Sequence, residues 1–113
     1  ILVSLFIDPD PKQVSAAAAL QAPVIELHTG KFADAAEAAR PAELNRLIQA
    51  SQQAHQLKLQ VNAGHGLRLS NLPALLQVPH LHTLNIGHSL VSHALVVGLE
   101  RSVRDFLEAI AEK

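Results

Sequence analysis

Four short apolar runs alternate with helical patterns along the 113 residues, and this alternation constrains the fold more than any other feature. "LVSLFID" (2–8) is rich in β-branched and aromatic residues and stops at Pro9-Asp10-Pro11. "VSAAAALQA" (14–22) reads as an alanine-rich helix, and "PVIELHTG" (23–30) as a second strand ended by Gly30. Ala33 to Ala39 suit a short helix. Pro41 suits the first turn of another helix running to about Gln56, with Leu44, Leu47, Ile48 and Ala54 on one apolar face. "LKLQVNAG" (57–64) is a third strand, "NLPALLQV" (71–78) a short helix and "HTLNIG" (82–87) a fourth strand. From Ser89 to the end, one short helix and one longer one are expected, with Gly98 near the break.

Strands alternating with helices imply βα units and a parallel sheet. Four such units fit half of a (β/α)₈ barrel or a small doubly wound sheet. Strand parity separates the two. Val3, Leu5 and Ile7 oppose Ser4, Phe6 and Asp8; Ile25 and Leu27 oppose Glu26 and His28; Leu59 and Val61 oppose Gln60 and Asn62; Leu84 and Ile86 oppose Thr83 and Asn85. Parallel strands covered on both faces normally read as continuous apolar runs. Here each strand carries polar groups on one face, as expected for a barrel whose lumen holds a site. The expected fold is therefore α/β, a half barrel of four parallel βα units followed by C-terminal helices.

Composition narrows the function. The length allows one domain with a modest core, and 49% hydrophobic residues argue against disorder. Nine basic and ten acidic residues leave a net charge of -1, so nucleic acid and anionic membrane are not expected partners. There is no cysteine, which excludes disulfides and thiolate chemistry. No apolar run reaches the roughly 18 residues of a membrane span, and no signal peptide is visible, so a cytoplasmic location is expected. The chain opens on Ile1 within a strand and contains no methionine, which predicts a piece of a longer chain.

Two strands end in a Gly-His pair. Gly87-His88-Ser89 closes the fourth strand and starts a helix; Gly64-His65-Gly66 follows the third. Glycine permits close backbone approach, and free N–H groups at a helix start bind anions. Barrel enzymes often hold phosphate at the loops after their last two strands. Gly66, Gly87 and His88 are thus candidate phosphate contacts; the bland alternative is two glycine turns with exposed histidines. His65, between two glycines, reads as mobile and exposed at the pocket mouth, where an imidazole can serve in proton transfer. It could instead be a hydrogen-bonding phosphate ligand. Glu26 points with His28 toward the proposed lumen, where a carboxylate is costly unless paired or functional. The alternative is an ion pair, but Lys58, the nearest base of suitable parity, lies near a strand start.

Seven histidines also raise a metal site. His80 and His82 enter the fourth strand at the wrong end for barrel catalysis. His88 and His93 are five apart and do not share a helical face, and His55 sits at a helix end among polar neighbours. No metal is expected.

"VSLFIDPD", "IELHTG", "VNAGHGL" and "LNIGHSLVSHALVVGL", in this order and covering nearly the whole chain, resemble the pyridoxine 5'-phosphate synthase family of vitamin B6 biosynthesis. The resemblance implies a (β/α)₈ barrel with extra helices. Its members condense 1-deoxy-D-xylulose 5-phosphate with 3-amino-2-oxopropyl phosphate, releasing phosphate and water as the pyridine ring closes. No metal or organic cofactor is implied. His65 matches the family's proton donor, Gly66 a phosphate contact, Gly87 and His88 the other part of that phosphate site, and Glu26 the glutamate that stabilises a transition state. The family's first four strands are missing, with another catalytic histidine, a glutamate base and most substrate contacts. Residues 1–113 therefore correspond to the C-terminal half of the barrel, strands five to eight. Such a half is expected to be inactive alone and to act as part of a homo-oligomeric enzyme on small phosphorylated substrates.

Two other functions compete. Another phosphate-handling barrel, an isomerase or aldolase, lacks a lysine at a strand's C-terminal end to form a Schiff base. A non-catalytic phosphate-binding half-barrel module would need only the glycine loops.

Overall fold

The structure is a computed structural model and describes residues 1–111; Glu112 and Lys113, which close the expected domain and final helix, lie outside the described residues. Four strands, β1 (Ser4–Ile7), β2 (Val24–His28), β3 (Gln60–Gly64) and β4 (Leu81–Asn85), pair in parallel in the order β1-β2-β3-β4. Helices α1 (Pro11–Ala19), α2 (Gly30–Asp34), α3 (Arg40–Gln56) and α4 (Leu72–Leu75) fill the connections, and α5 (His88–Val97) and α6 (Leu99–Ala111) follow the last strand. Strictly sequential order is what an arc of a barrel requires. A doubly wound sheet reverses its order at a switch point. The parity argument is borne out by this topology.

Register aligns residues of like character. Ile7, Leu27, Ala63 and Leu84 form one rung, and Phe6, Glu26, Asn62 and Thr83 form the neighbouring rung on the other face. Between Val61 and Asn62 the β3–β4 register shifts, so that Val61 pairs with Leu81 and Asn62 with Thr83; His82 is the extra residue of a bulge. The apolar face is the core face. Ile25, Leu27 and Val61 are fully covered by Val14 and Ala17 of α1, Leu47 and Ala54 of α3, Leu72 and Leu75 of α4, and Phe106 of α6. Each such large side chain contributes about 1.5–3 kcal/mol by leaving water.

Several helix boundaries differ from the sequence reading, each for a local reason. Helix α1 starts at Pro11 rather than Val14. Asp10 caps it by accepting the Lys12 N–H at 3.0 Å, and Pro11 occupies its first turn. The Asp-Pro pair read as the end of a strand is also the start of a helix. The helix expected over Ala33 to Ala39 instead covers Gly30–Asp34, and Ala35 is already extended. Burial of Phe32 and Ala33 against the core outweighs the helix propensity of the alanines that follow. Helix α3 starts at Arg40, with Pro41 in its first turn, and ends at Gln56 as expected. Helix α5 begins at His88, one residue before Ser89, and Gly98, at φ +91, separates it from α6.

Two surfaces remain open. β1 and β4 are both edge strands, and Phe6 on the polar face is 54% exposed. Helix α5 buries no residue, and Leu95, Val96 and Leu99 at the α5–α6 corner are exposed.

Candidate functional site

The C-terminal ends of the strands carry the site. The chain leaves β3 through His65 at φ +91 and Gly66 at φ +75. A Cβ on Gly66 would lie 2.7 Å from that of Ala33, so this turn tolerates only glycine. His65 has no such exemption, and its strained backbone must be held by its surroundings. Thr29, fully buried just past β2, supplies the hold. Its N–H donates to the Gly64 carbonyl at 2.9 Å, and its hydroxyl lies 2.7 Å from that carbonyl and 2.6 Å from the His65 carbonyl. Asn71 closes the loop beyond, donating to the Gly66 carbonyl at 3.1 Å and accepting the Arg68 N–H at 2.9 Å. The Arg68 guanidinium donates to the Ala33 carbonyl at 3.1 Å.

The second loop joins β4 to α5. Gly87 is the N-cap, and the Val91 N–H donates to its carbonyl at 3.0 Å. The N–H groups of His88, Ser89 and Leu90 precede that first helical bond and have no partner within the helix. The Ser89 hydroxyl donates to the Leu67 carbonyl at 2.5 Å and so fastens the two loops together. Between them opens a cleft of about 500 Å³ whose wall includes His65, Gly66, Arg68, Asn85, Gly87 and His88. Among the described residues, no atom beyond Gly87's own chain neighbours lies within 4 Å of where a Gly87 Cβ would sit. Four of the five candidate residues thus converge on one cleft.

Glu26, the fifth, stands one residue behind this wall. It is half-buried on β2, and its carboxylate accepts the Asn85 side-chain N–H at 2.5 Å. Gly64 makes room for it, because a Cβ there would come 2.5 Å from the carboxylate. The partner of Glu26 is therefore a neutral amide that itself lines the cleft, rather than a base from a neighbouring strand. Lys58 sits before β3 at φ +63.

His65 is exposed, as expected, but its ring has a support: it stacks on His28 with centroids 4.5 Å apart. The two histidines border a second cleft of about 460 Å³ with Lys31 and Glu43. At the other end of the strands, His55 and His80 stack in parallel at 3.7 Å. Parallel rings offer each other their faces rather than convergent lone pairs. Among the described residues no group of three or more metal-ligating side chains comes together. His93 on α5 lies 2.7 Å from the Asp105 carboxylate on α6, whose other oxygen accepts from Arg101 at 2.8 Å. The hydrogen bond from His93, and then the one from Arg101, holds the Asp105 carboxyl below its ordinary range, and Arg101 is raised in turn.

Sequence reasoning missed Asn85, Arg68, Asn71 and Thr29 as parts of the site. Asn85 was within reach, since it shares the polar face with Glu26 and stands in the same "LNIGH" stretch. The others act through loop geometry that no spacing announces.

Comparison with known proteins adds to this geometry. The family described as "Pyridoxal phosphate biosynthesis protein PdxJ" matches residues 1–112. A pyridoxine 5'-phosphate synthase from Akkermansia muciniphila is 58% identical over 97% of this chain and 45% of its own length. One from Synechococcus is 54% identical over 97% of this chain and 46% of its own, and one from Idiomarina loihiensis 50% identical over 93% and 44%. The chain spans about half the length of the curated relatives it matches.

Proposed function

The chain belongs to the PdxJ family of pyridoxal phosphate biosynthesis proteins, a TIM-barrel family, and from that membership we propose that residues 1–113 act as the C-terminal half of a pyridoxine 5'-phosphate synthase. The reaction is the ring-closing condensation of 1-deoxy-D-xylulose 5-phosphate with 3-amino-2-oxopropyl phosphate, giving pyridoxine 5'-phosphate, phosphate and water. One observation carries this reading: the cleft in which Gly66, Gly87 and His88 meet beside His65.

Gly66 and the Gly87-His88 turn take the phosphate of the aminoketone. The anion sits against the free N–H groups at the start of α5, where the helix dipole also favours it. His65 is the proton donor. Each loss of water, and the loss of phosphate, breaks a C–O bond whose oxygen must leave protonated or hydrogen-bonded, and an imidazolium at the cleft mouth can supply that proton. Glu26 stabilises the transition state electrostatically. Condensation of an amine with a ketone passes through a cationic iminium, and a fixed carboxylate offsets that charge. Asn85 orients the carboxylate through Oε1, while Oε2 lies over Gly64, where no side chain displaces it.

The proposal includes a homo-oligomeric, cytoplasmic enzyme. In its support, no helix of the described residues is long and apolar enough to cross a membrane, and the α5–α6 corner exposes apolar side chains suited to an interface. The deciding experiment is steady-state turnover of the full-length synthase carrying His65→Asn. A fall in kcat of about 10²–10⁴-fold with little change in KM is expected of a general acid. A change confined to KM would make His65 a phosphate ligand only.

A further inference from the structure

We propose that His28 is a positioning residue for His65, acting through the face of its ring. The inference rests on the reading of His65 as proton donor. Three aromatic rings form a column over the polar face of the sheet. His28 lies between Phe6, with centroids 5.0 Å apart, and His65, at 4.5 Å with planes inclined by 30°. The middle ring is locked from below. Its Nδ1 accepts the Gly30 N–H at 3.0 Å, so the ring proton resides on Nε2. Gly30 itself is the floor under both histidines. A Cβ at that position would come within 2.9 Å of His28 Nδ1 and of His65 Cδ2.

His65 needs such a support. It is exposed, its backbone stands at φ +91, and Gly64 and Gly66 flank it with no side chains of their own. Thr29 pins its carbonyl, which fixes the main chain but not the ring. The His28 ring face does the rest, and it does so without engaging a ring nitrogen of His65. A carboxylate orienting the same histidine would occupy one nitrogen; a stacked ring leaves both for proton transfer. Stacked aromatic pairs at this separation add modest but directional attraction. Orientation errors near 1 Å at a reacting group cost about 10²-fold in rate.

Two substitutions separate the ring from its lock. His28→Asn keeps an acceptor for the Gly30 N–H, since an asparagine oxygen bonds the N–H two residues on, but removes the ring. His28→Phe keeps the ring and loses the acceptor. In the full-length synthase, His28→Asn is expected to lower kcat by about 10–100-fold with KM for both substrates within about twofold. His28→Phe should restore most of the rate. The double variant His28→Asn/His65→Asn should turn over no more slowly than His65→Asn alone, because a residue acting only through His65 has nothing left to position. The ring protons of His65 should move in the NMR spectrum of His28→Asn as the ring current of residue 28 is lost. Wild-type kcat in His28→Asn, a Phe variant as slow as the Asn variant, additive losses in the double variant, or unmoved ring protons would each overturn the proposal. If His65→Asn itself kept wild-type kcat, the proton-donor reading would fail instead, whatever His28 did.

Discussion

The side-chain amide of Asn85 donates to the Glu26 carboxylate across 2.5 Å, tying β4 to β2 over the gap left by Gly64. A charged acceptor held by a single neutral donor is sensitive to the loss of that donor. Asn85→Ala should cost about 1.5–3 kcal/mol if the bond is shielded in the assembled barrel, the range for hydrogen bonds to charged groups. Chemical denaturation of the full-length enzyme reads the loss. Turnover should fall with it, because the carboxylate loses its orientation. An unchanged denaturation midpoint with full activity would show that Glu26 needs no such partner.

Glu26→Gln tests charge apart from shape. Glutamine fits the same space and still accepts from Asn85, so the fold should be kept. What disappears is the negative charge proposed to offset the iminium. A drop in kcat of about 10²–10³-fold is expected, comparable to losing one electrostatic group in other active sites. Wild-type kcat in this variant would remove Glu26 from the catalytic machinery.

Gly66 and Gly87 are both glycines of the cleft, yet the structure predicts opposite failures for them. At Gly66 a side chain meets Ala33 and a positive φ, so Gly66→Ala should destabilise by about 1–2 kcal/mol even without substrate. At Gly87 a Cβ meets no described residue beyond its chain neighbours, so Gly87→Val should leave thermal stability nearly unchanged but fill the place proposed for phosphate. Calorimetric titration with the aminoketone phosphate, or with inorganic phosphate, should show strongly weakened binding. Unchanged affinity in Gly87→Val would move the anion elsewhere.

The His93–Asp105 contact makes the α5–α6 pairing acid-sensitive. The folded-state pKa of Asp105 is lowered from 3.8, chiefly by the hydrogen bond from His93 and next by that from Arg101. A depressed carboxyl pKa adds stability above the unfolded value, and that stability is lost as pH falls through the folded value. Asp105→Asn should therefore be less stable than wild type at neutral pH, with the gap closing well below 3.8. Denaturation midpoints of the two proteins across that range decide it. A gap that persisted in acid would mean that packing, not charge, joins the helices.

How far the sequence could be read follows from what each feature depends on. The strands and their parity were legible because period-two alternation is a local consequence of pleating: Ile25 and Leu27 pack against the helices and Glu26 and His28 lie on the opposite, polar face, as expected. The two Gly-His loops were legible because backbone chemistry at a strand end has few solutions. Helix α2 was misplaced because its position depends on Phe32 finding the core, a tertiary event that overrides alanine propensity. That Asn85 and Glu26 share a face was readable, but their bond and the His28–His65 stack were not, because each depends on register between strands far apart in sequence. Side-chain pairs of that kind are fixed by pairing, and pairing partners are not written beside one another.

The last prediction concerns the 113-residue chain made alone. Four parallel strands leave β1 and β4 with unpaired backbone groups, and such edges recruit other chains. The polar face, with Phe6 half-exposed among Glu26, Asn62 and Thr83, lies open where a closed barrel would enclose it. Leu95, Val96 and Leu99 add a second apolar patch at the α5–α6 corner. The isolated chain should therefore associate in solution, and it should show no synthase turnover, since it spans about half the length of the synthases it resembles. Two copies facing each other would pair the edges but duplicate Glu26 and His65 rather than supply the missing groups. Supplying the N-terminal half as a separate polypeptide should convert the oligomers into a defined complex and restore activity. Sedimentation and turnover measured on the same samples test both parts. A chain that sedimented as a monomer, unfolded cooperatively and catalysed ring closure unaided would overturn the half-barrel assignment together with the roles given to its residues.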